Sequence, residues 1–200
     1  MFNRNVVQSG DALGGFRPTA EAPRLATEAR SVRQRVDIYG ALQNLAEIGV
    51  AITGFAGIVA AMAYSSSDSW SDIDRGNFRT LVIWSLGATF LAYLPIVLAS
   101  LGDRVSAPWR LSNAVCALYH GSIFVQTFMM LRTREMSLAP SVVLMLGAGG
   151  VVMAAEVAAA AGPLASIAPT VYLTALIWFL FIAANRFVTM ANRHFGRSAV

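Results

Sequence analysis

The sequence predicts an all-α, polytopic membrane bundle of five transmembrane helices preceded by an amphipathic N-terminal helix, and three observations predict it. Of 200 residues 56% are hydrophobic and 13% charged, with a mean hydropathy of +0.57; a soluble domain carries about a quarter charged residues. The apolar residues gather into blocks of about 20, the length needed to cross about 30 Å of hydrocarbon at 1.5 Å rise per residue. Of the 15 basic and 11 acidic side chains, only Glu47 and Glu156 fall inside those blocks. A disordered chain, a disulfide-built secreted module and an ordinary soluble enzyme domain are excluded together.

The first 18 residues read as a flexible arm, with Gly10, Gly14, Gly15 and Pro18 and no apolar core of a signal peptide. Residues 19–42 turn helical: Leu25, Val32, Val36, Tyr39 and Leu42 recur at helical spacings, with Arg24 and Glu28, and Arg33 and Asp37, as i,i+4 pairs. This stretch is expected to lie at the membrane interface and to bend into the first span at Gly40. Arg24, Arg30, Arg33 and Arg35 would meet lipid headgroups or a partner, since a guanidinium pairs with phosphate through a two-pronged fork. The alternative is one long helix projecting toward a partner.

Residues 43–190 form the bundle, and 191–200 a polar tail. The first span is Leu45 to Tyr64, the second Thr80 to Leu101 with Pro95 inside it, and the third Leu111 to Leu131. Leu138 to Asn185 then runs apolar for about 70 Å of helix, twice what a bilayer needs. It is expected to break at Ala161-Gly162-Pro163, where Gly permits a turn and Pro ends a helix. Four spans plus a re-entrant segment is the alternative. Ser71-Asp72-Ile73-Asp74 reads as a helix cap, preferred to a cation site that would add Asp68. Ser106-Ala107-Pro108 reads as another helix start.

Arginines ahead of the first span, against Asp68, Asp72 and Asp74 after it, put the N-terminus in the cytoplasm. The Arg-only, Ala-rich composition reads as codon bias, and the expected location is a bacterial inner membrane. The basic residues form no single stripe, so no nucleic-acid partner is expected. The lone Cys116 allows no intrachain disulfide.

Ionisable groups within a span cost several kcal/mol unless they face protein or water, so each is a candidate site. Glu156 leads, followed by His120 and Glu47. On the third span Asn113, Cys116 and His120 share one helical face. With alternating spans, His120 and Glu156 come within about one turn of each other in depth, which permits a proton-handling pair or a His ligand to a haem or pigment. Against these stand the plain readings of a bonded neutral Glu and a His holding one interhelical hydrogen bond. No catalytic elbow, phosphate loop or zinc spacing is present, so an enzyme is not expected, and no cofactor is specified.

Two rows of small residues, Gly49, Thr53, Gly57 and Ala61 in the first span and Gly150, Ala154, Ala158 and Gly162 in the fourth, would let helices pack closely within the bundle or between protomers. Trp84, Trp109, Tyr64 and Trp70 read as interfacial anchors. Tyr172, Trp178, Phe179 and Phe181 suggest a lipid-facing fifth helix. Poor in chemistry and rich in packing rows, the chain is read first as a non-catalytic accessory or assembly subunit. Its partners would be lipid and other membrane subunits or further copies of itself. The second reading is a small oligomeric channel or proton-linked transporter using Glu156, His120 and Glu47; the third is a haem or pigment binder through His120.

Overall fold

The computed structural model describes residues 21–65, 71–102, 107–132 and 140–195, with side chains from Asp37 onward except at 63–65, 73, 130–131, 141 and 193–195. These residues are helical throughout apart from short caps and turns, and none is in a strand. The helices are α1 (Glu21–Ser65), α2 (Asp72–Ser100), α3 (Pro108–Arg132), α4 (Pro140–Ala161) and α5 (Ala168–Phe195), with a short 3-10 turn at Ala165–Ile167. The part of α1 before Ile38 belongs to a separate unit, and the bundle is built by the unit that begins there. Arg24, Arg30, Arg33 and Arg35 lie outside the described side chains, as do Tyr64, Asp68 and Trp70.

Four helices are long and apolar enough to cross a membrane, over Asp37–Met62, Asp74–Ser100, Val142–Ala161 and Ala165–Asn192. The protein is therefore read as a membrane protein. The fifth, α3, has 25 residues but is not among the four. At Gly40, where a bend was expected, α1 continues as helix, with no atom crowding the place a side chain would take.

Local chemistry sets the ends. Ser71 caps α2: its Oγ accepts from the Asp74 amide at 3.2 Å and donates to Asp74 Oδ2 at 2.5 Å. That is the cap read from the sequence, with Asp72 and Asp74 at the positive end of the helix. Between α4 and α5 the break falls where Gly and Pro placed it, and Gly162 takes a φ of +119°, a backbone that side-chain-bearing residues rarely adopt. Arg110 finishes α4 from outside, donating from Nε to Ala160 O at 3.0 Å and from Nη2 to Ala161 O at 3.1 Å. A cation on the last carbonyls answers both their missing partners and the negative end of the helix dipole.

The contacts give a strictly up-and-down arrangement. At one face, here the near face, the end of α4 meets the start of α3 through Arg110, and Asn113 reaches Ala168 at the start of α5. Tyr39 of α1 stacks on Trp109 there, centroids 6.3 Å apart. At the opposite, far face, Arg186 near the end of α5 donates to Asn77 near the start of α2 at 3.5 Å. Packing is most extensive between α2 and α5 and between α3 and α4.

The core sits around α5. Tyr172, Leu176 and Phe179 are fully buried beside Trp84, Leu42 and Cys116. This corrects two sequence expectations. The aromatic residues of α5 do not make it a lipid-facing helix, because Tyr172 and Phe179 point inward while Phe181 alone is well exposed. Trp84 is not an interfacial anchor but a core residue packed on Phe179, centroids 4.8 Å apart.

Pro95 explains the position of Tyr172. A proline inside a helix lacks the amide that would bond the carbonyl four residues back. That carbonyl belongs to Leu91, and the Tyr172 hydroxyl donates to it at 2.5 Å. In hydrocarbon an unsatisfied carbonyl costs several kcal/mol, so the tyrosine repairs what the proline breaks. A close approach elsewhere needs glycine: at Gly87 a Cβ would run into the Tyr119 ring, whose hydroxyl donates to Ile83 O at 2.5 Å.

Candidate functional site

α3 and α4 bring together the polar side chains singled out from the sequence. His120 Nδ1 lies 3.3 Å from Glu156 Oε1, and the Cys116 thiol points at the same oxygen from 3.6 Å. All three are sealed from the surface, with Glu156 and Cys116 at 0% and His120 at 2% exposure. On α3, Cys116 and His120 are one turn apart on a single face, so both reach the same carboxyl across the helix pair. Between the backbones sits Gly149, two turns before Glu156 on α4. A Cβ there would lie 3.5 Å from His120 Nε2 and 3.3 Å from Trp178 Nε1.

The surroundings are apolar and aromatic. Trp84 and Phe179 meet the imidazole edge to face, at centroid distances of 5.7 and 5.1 Å. Burying an isolated charge in such a place is prohibitive. The group must hold its protons so that charge is absent or paired: a neutral acid beside a neutral imidazole, or a carboxylate beside an imidazolium. In both states Nδ1–H can donate to Oε1. The hydrogen bonding is left incomplete. Glu156 Oε2 and Trp178 Nε1 are buried without a hydrogen-bond partner.

A column of buried polar side chains continues along α3 from this centre toward the near face. Asn113 lies two turns before His120 on α3 and is fully buried. Its amide donates to Trp109 O at 2.8 Å and to Ala168 O at 3.1 Å, while its Oδ1 is unpaired. Ser112 beside it is also fully buried. The column Asn113, Cys116, His120 covers about 10 Å along the helix axis, a third of a bilayer.

Glu47 lies elsewhere. It is exposed on α1, apart from the buried pair, and has no hydrogen-bond or ion-pair partner among the described residues. The small-residue rows divide as well. Gly49 packs so tightly on α2 that a Cβ would collide with Thr89 Oγ1 and stand 2.8 Å from Ser85 O. Thr53 bonds Ser85 Oγ at 2.7 Å, whereas Gly57 and Ala61 are exposed. On α4, Gly150 and Ala158 are half-buried and Ala154 is exposed, and Gly162, just past its end, is half-buried; the covered side of that helix is instead Gly149, Glu156 and Ala159.

Sequence reading missed Trp178, Tyr172 and Arg110 as polar contributors. Tyr172 had a signal only in type, a phenol in one apolar block and a mid-helix proline that frees a carbonyl in another. Arg110 and Trp178 had none beyond their type. Among the described residues no group of three His, Cys, Asp or Glu is arranged to hold a metal ion. Cys116 and His120 both address one carboxyl oxygen, which is hydrogen-bond geometry rather than a shared ligand position. No known protein family, curated protein or solved structure matches this chain.

Proposed function

We propose that this chain is a five-span integral membrane protein that handles protons, a small proton-linked carrier or channel whose working group is the His120–Glu156 pair. The observation that carries the reading is a fully buried imidazole and carboxyl 3.3 Å apart inside a bundle of long apolar helices. Ionisable groups inside a span are expensive, and a pair that can pass one proton between acid and imidazole with no change in its net charge suits proton handling. The buried column through Asn113 and Cys116 supplies a route from the near face. With the N-terminus in the cytoplasm, that face is the cytoplasmic one of a bacterial inner membrane.

α3 is read as the fifth span because it runs in register between the other four, in contact at the near face with α1, α4 and α5 and along its length with α4. Part of its polar content, Ser112, Asn113 and His120, is buried within the protein and does not meet lipid. The accessory-subunit reading draws its support from exposed helix faces and from the arginine-rich arm. It accounts for docking but gives no role to a sealed, incompletely bonded acid. A haem at His120 is less well supported, since Nε2 faces the α4 backbone at Gly149 and aromatic edges flank the ring.

The test is flux. Purified protein in liposomes with an imposed pH gradient and a trapped pH dye should acidify or alkalise the lumen faster than empty vesicles. Glu156→Gln should remove that rate. Wild-type rates equal to empty vesicles, across potentials of both signs, would overturn the proposal.

A further inference from the structure

The outer face of α1 carries a second feature that the buried pair does not use. Gly49 lies at the middle of its apolar span, and the atoms crowding it belong to Ser85, Thr89 and Leu180. Each of those is within two residues of the middle of its own span, so these positions mark the mid-plane of the bundle. Glu47 is two residues away, about 3 Å along the axis. Its carboxyl therefore faces outward close to the centre of the bilayer, where a solitary ionisable group costs several kcal/mol.

Glu47 belongs to a pattern. Asn44, Glu47, Ala51, Gly54, Ile58 and Ala61 follow one another at alternating steps of three and four, the repeat of a coiled-coil seam. All six are exposed, while Leu42, Ala46, Gly49 and Ala56 on the other side of the helix are buried. The seam has polar groups at one end and small residues after them, and at Gly54 nothing lies within 4 Å of where a side chain would go. Small seam residues let two backbones approach, and carboxyl and carboxamide groups bond across helices in lipid.

We infer that this seam is the contact between two copies of the chain, with the α1 helices parallel about a two-fold axis. The choice of a second copy follows from self-complementarity. An identical chain inserted in the same sense brings Asn44 and Glu47 to the same depth on both sides. There Asn44 meets Asn44 and Glu47 meets Glu47 of the second copy, carboxamide bonding carboxamide and carboxylic acid bonding carboxylic acid. In a parallel seam like positions face each other, and a single polar Asn in such a seam fixes register and pairing. The described part of the seam, from Asn44 to Ala61, is about 25 Å long, enough for most of the hydrocarbon thickness.

The experiment uses full-length protein in liposomes of phosphatidylcholine and phosphatidylglycerol at high lipid excess, so that no other protein is present. Single cysteines are introduced at Ala51 and Gly54 in the seam and, as a control, at Leu118, which is 75% exposed on α3. The native Cys116 is buried and common to all. Oxidation should give a dimer as the main product for Ala51→Cys and Gly54→Cys, at least fivefold more than for Leu118→Cys. Adding Glu47→Leu should reduce the seam dimer several-fold, and Glu47→Gln should preserve it. Equal crosslinking at seam and control positions, or a seam dimer indifferent to Glu47→Leu, overturns the inference. Neither result depends on whether protons are carried, so the two proposals fail separately.

Discussion

Two carboxyls sit close to the same depth in this bundle, one facing in and one facing out. Glu156 is met by His120 and Cys116 from its own chain and shut behind Trp84 and Phe179. Glu47 is met by nothing its own chain supplies among the described residues. Hydropathy treats the two alike, as single acids in apolar helices. The difference is one of helix face, and it decides whether an acid is provided for by folding or left for association. Burial of the first must be settled before the chain can fold, while the second can be settled later, when helices meet in the membrane.

The comparison makes its strongest demand on the inward side. His120→Leu removes the partner of a fully buried carboxyl and should cost about 3–5 kcal/mol, the usual cost of breaking a buried pair from one side. Unfolding in mixed micelles with increasing SDS measures it, and an unchanged midpoint would mean the pair is not a structural unit. A matched pair of glycines comes next. Gly49→Leu drives a side chain into Ser85 and Thr89 and should cost about 1–3 kcal/mol. Gly54→Leu faces open space and should leave monomer stability within about 0.5 kcal/mol, yet lower dimer yield. If both behaved alike, the assignment of inner and outer faces on α1 would be wrong.

Smaller effects sharpen the same contrast. Glu156→Gln keeps size and an acceptor for Nδ1–H, so it should shift stability by no more than about 1 kcal/mol while proton flux disappears. A loss of flux accompanied by unfolding would make the acid structural instead. Arg110→Ala takes two hydrogen bonds from the last carbonyls of α4. It should cost about 0.3–1 kcal/mol, seen as faster amide exchange in the last turn of α4 without any change in flux.

Much of this was legible in the sequence because lengths and end signals are local. Ser71 with Asp74 fixed where α2 starts, and Gly162 with Pro163 fixed where α4 stops, since caps and turns act over a few residues. Apolar block length marked the four helices long and apolar enough to cross a membrane for the same reason, and it marked α3 as well, which is not among them. The meeting of Glu156 with His120 could be anticipated in depth, because alternating spans set depth by counting along the chain. Which face of each helix turns inward is set by the neighbours, and there the reading failed. Trp84 near a span start looked like an anchor, but the helix ends further out and the ring belongs to the core. Tyr172 and Phe179 looked lipid-facing because bulk is common to both lipid-facing and buried aromatics. Only contact with the Leu91 carbonyl, freed by Pro95, separates the two cases for Tyr172. The row Gly49 to Ala61 is packed against α2 at one end and exposed at the other, since spacing by four drifts around the helix while the uncovered seam keeps a repeat of three and a half.

The contrast between the inward and outward acids is tested most directly by proton flux through Glu156→Gln and Glu47→Gln, reconstituted side by side at equal protein density. The account predicts that Glu156→Gln falls to the rate of empty vesicles and Glu47→Gln stays near wild type. Equal loss in both, or loss in Glu47→Gln alone, would contradict it.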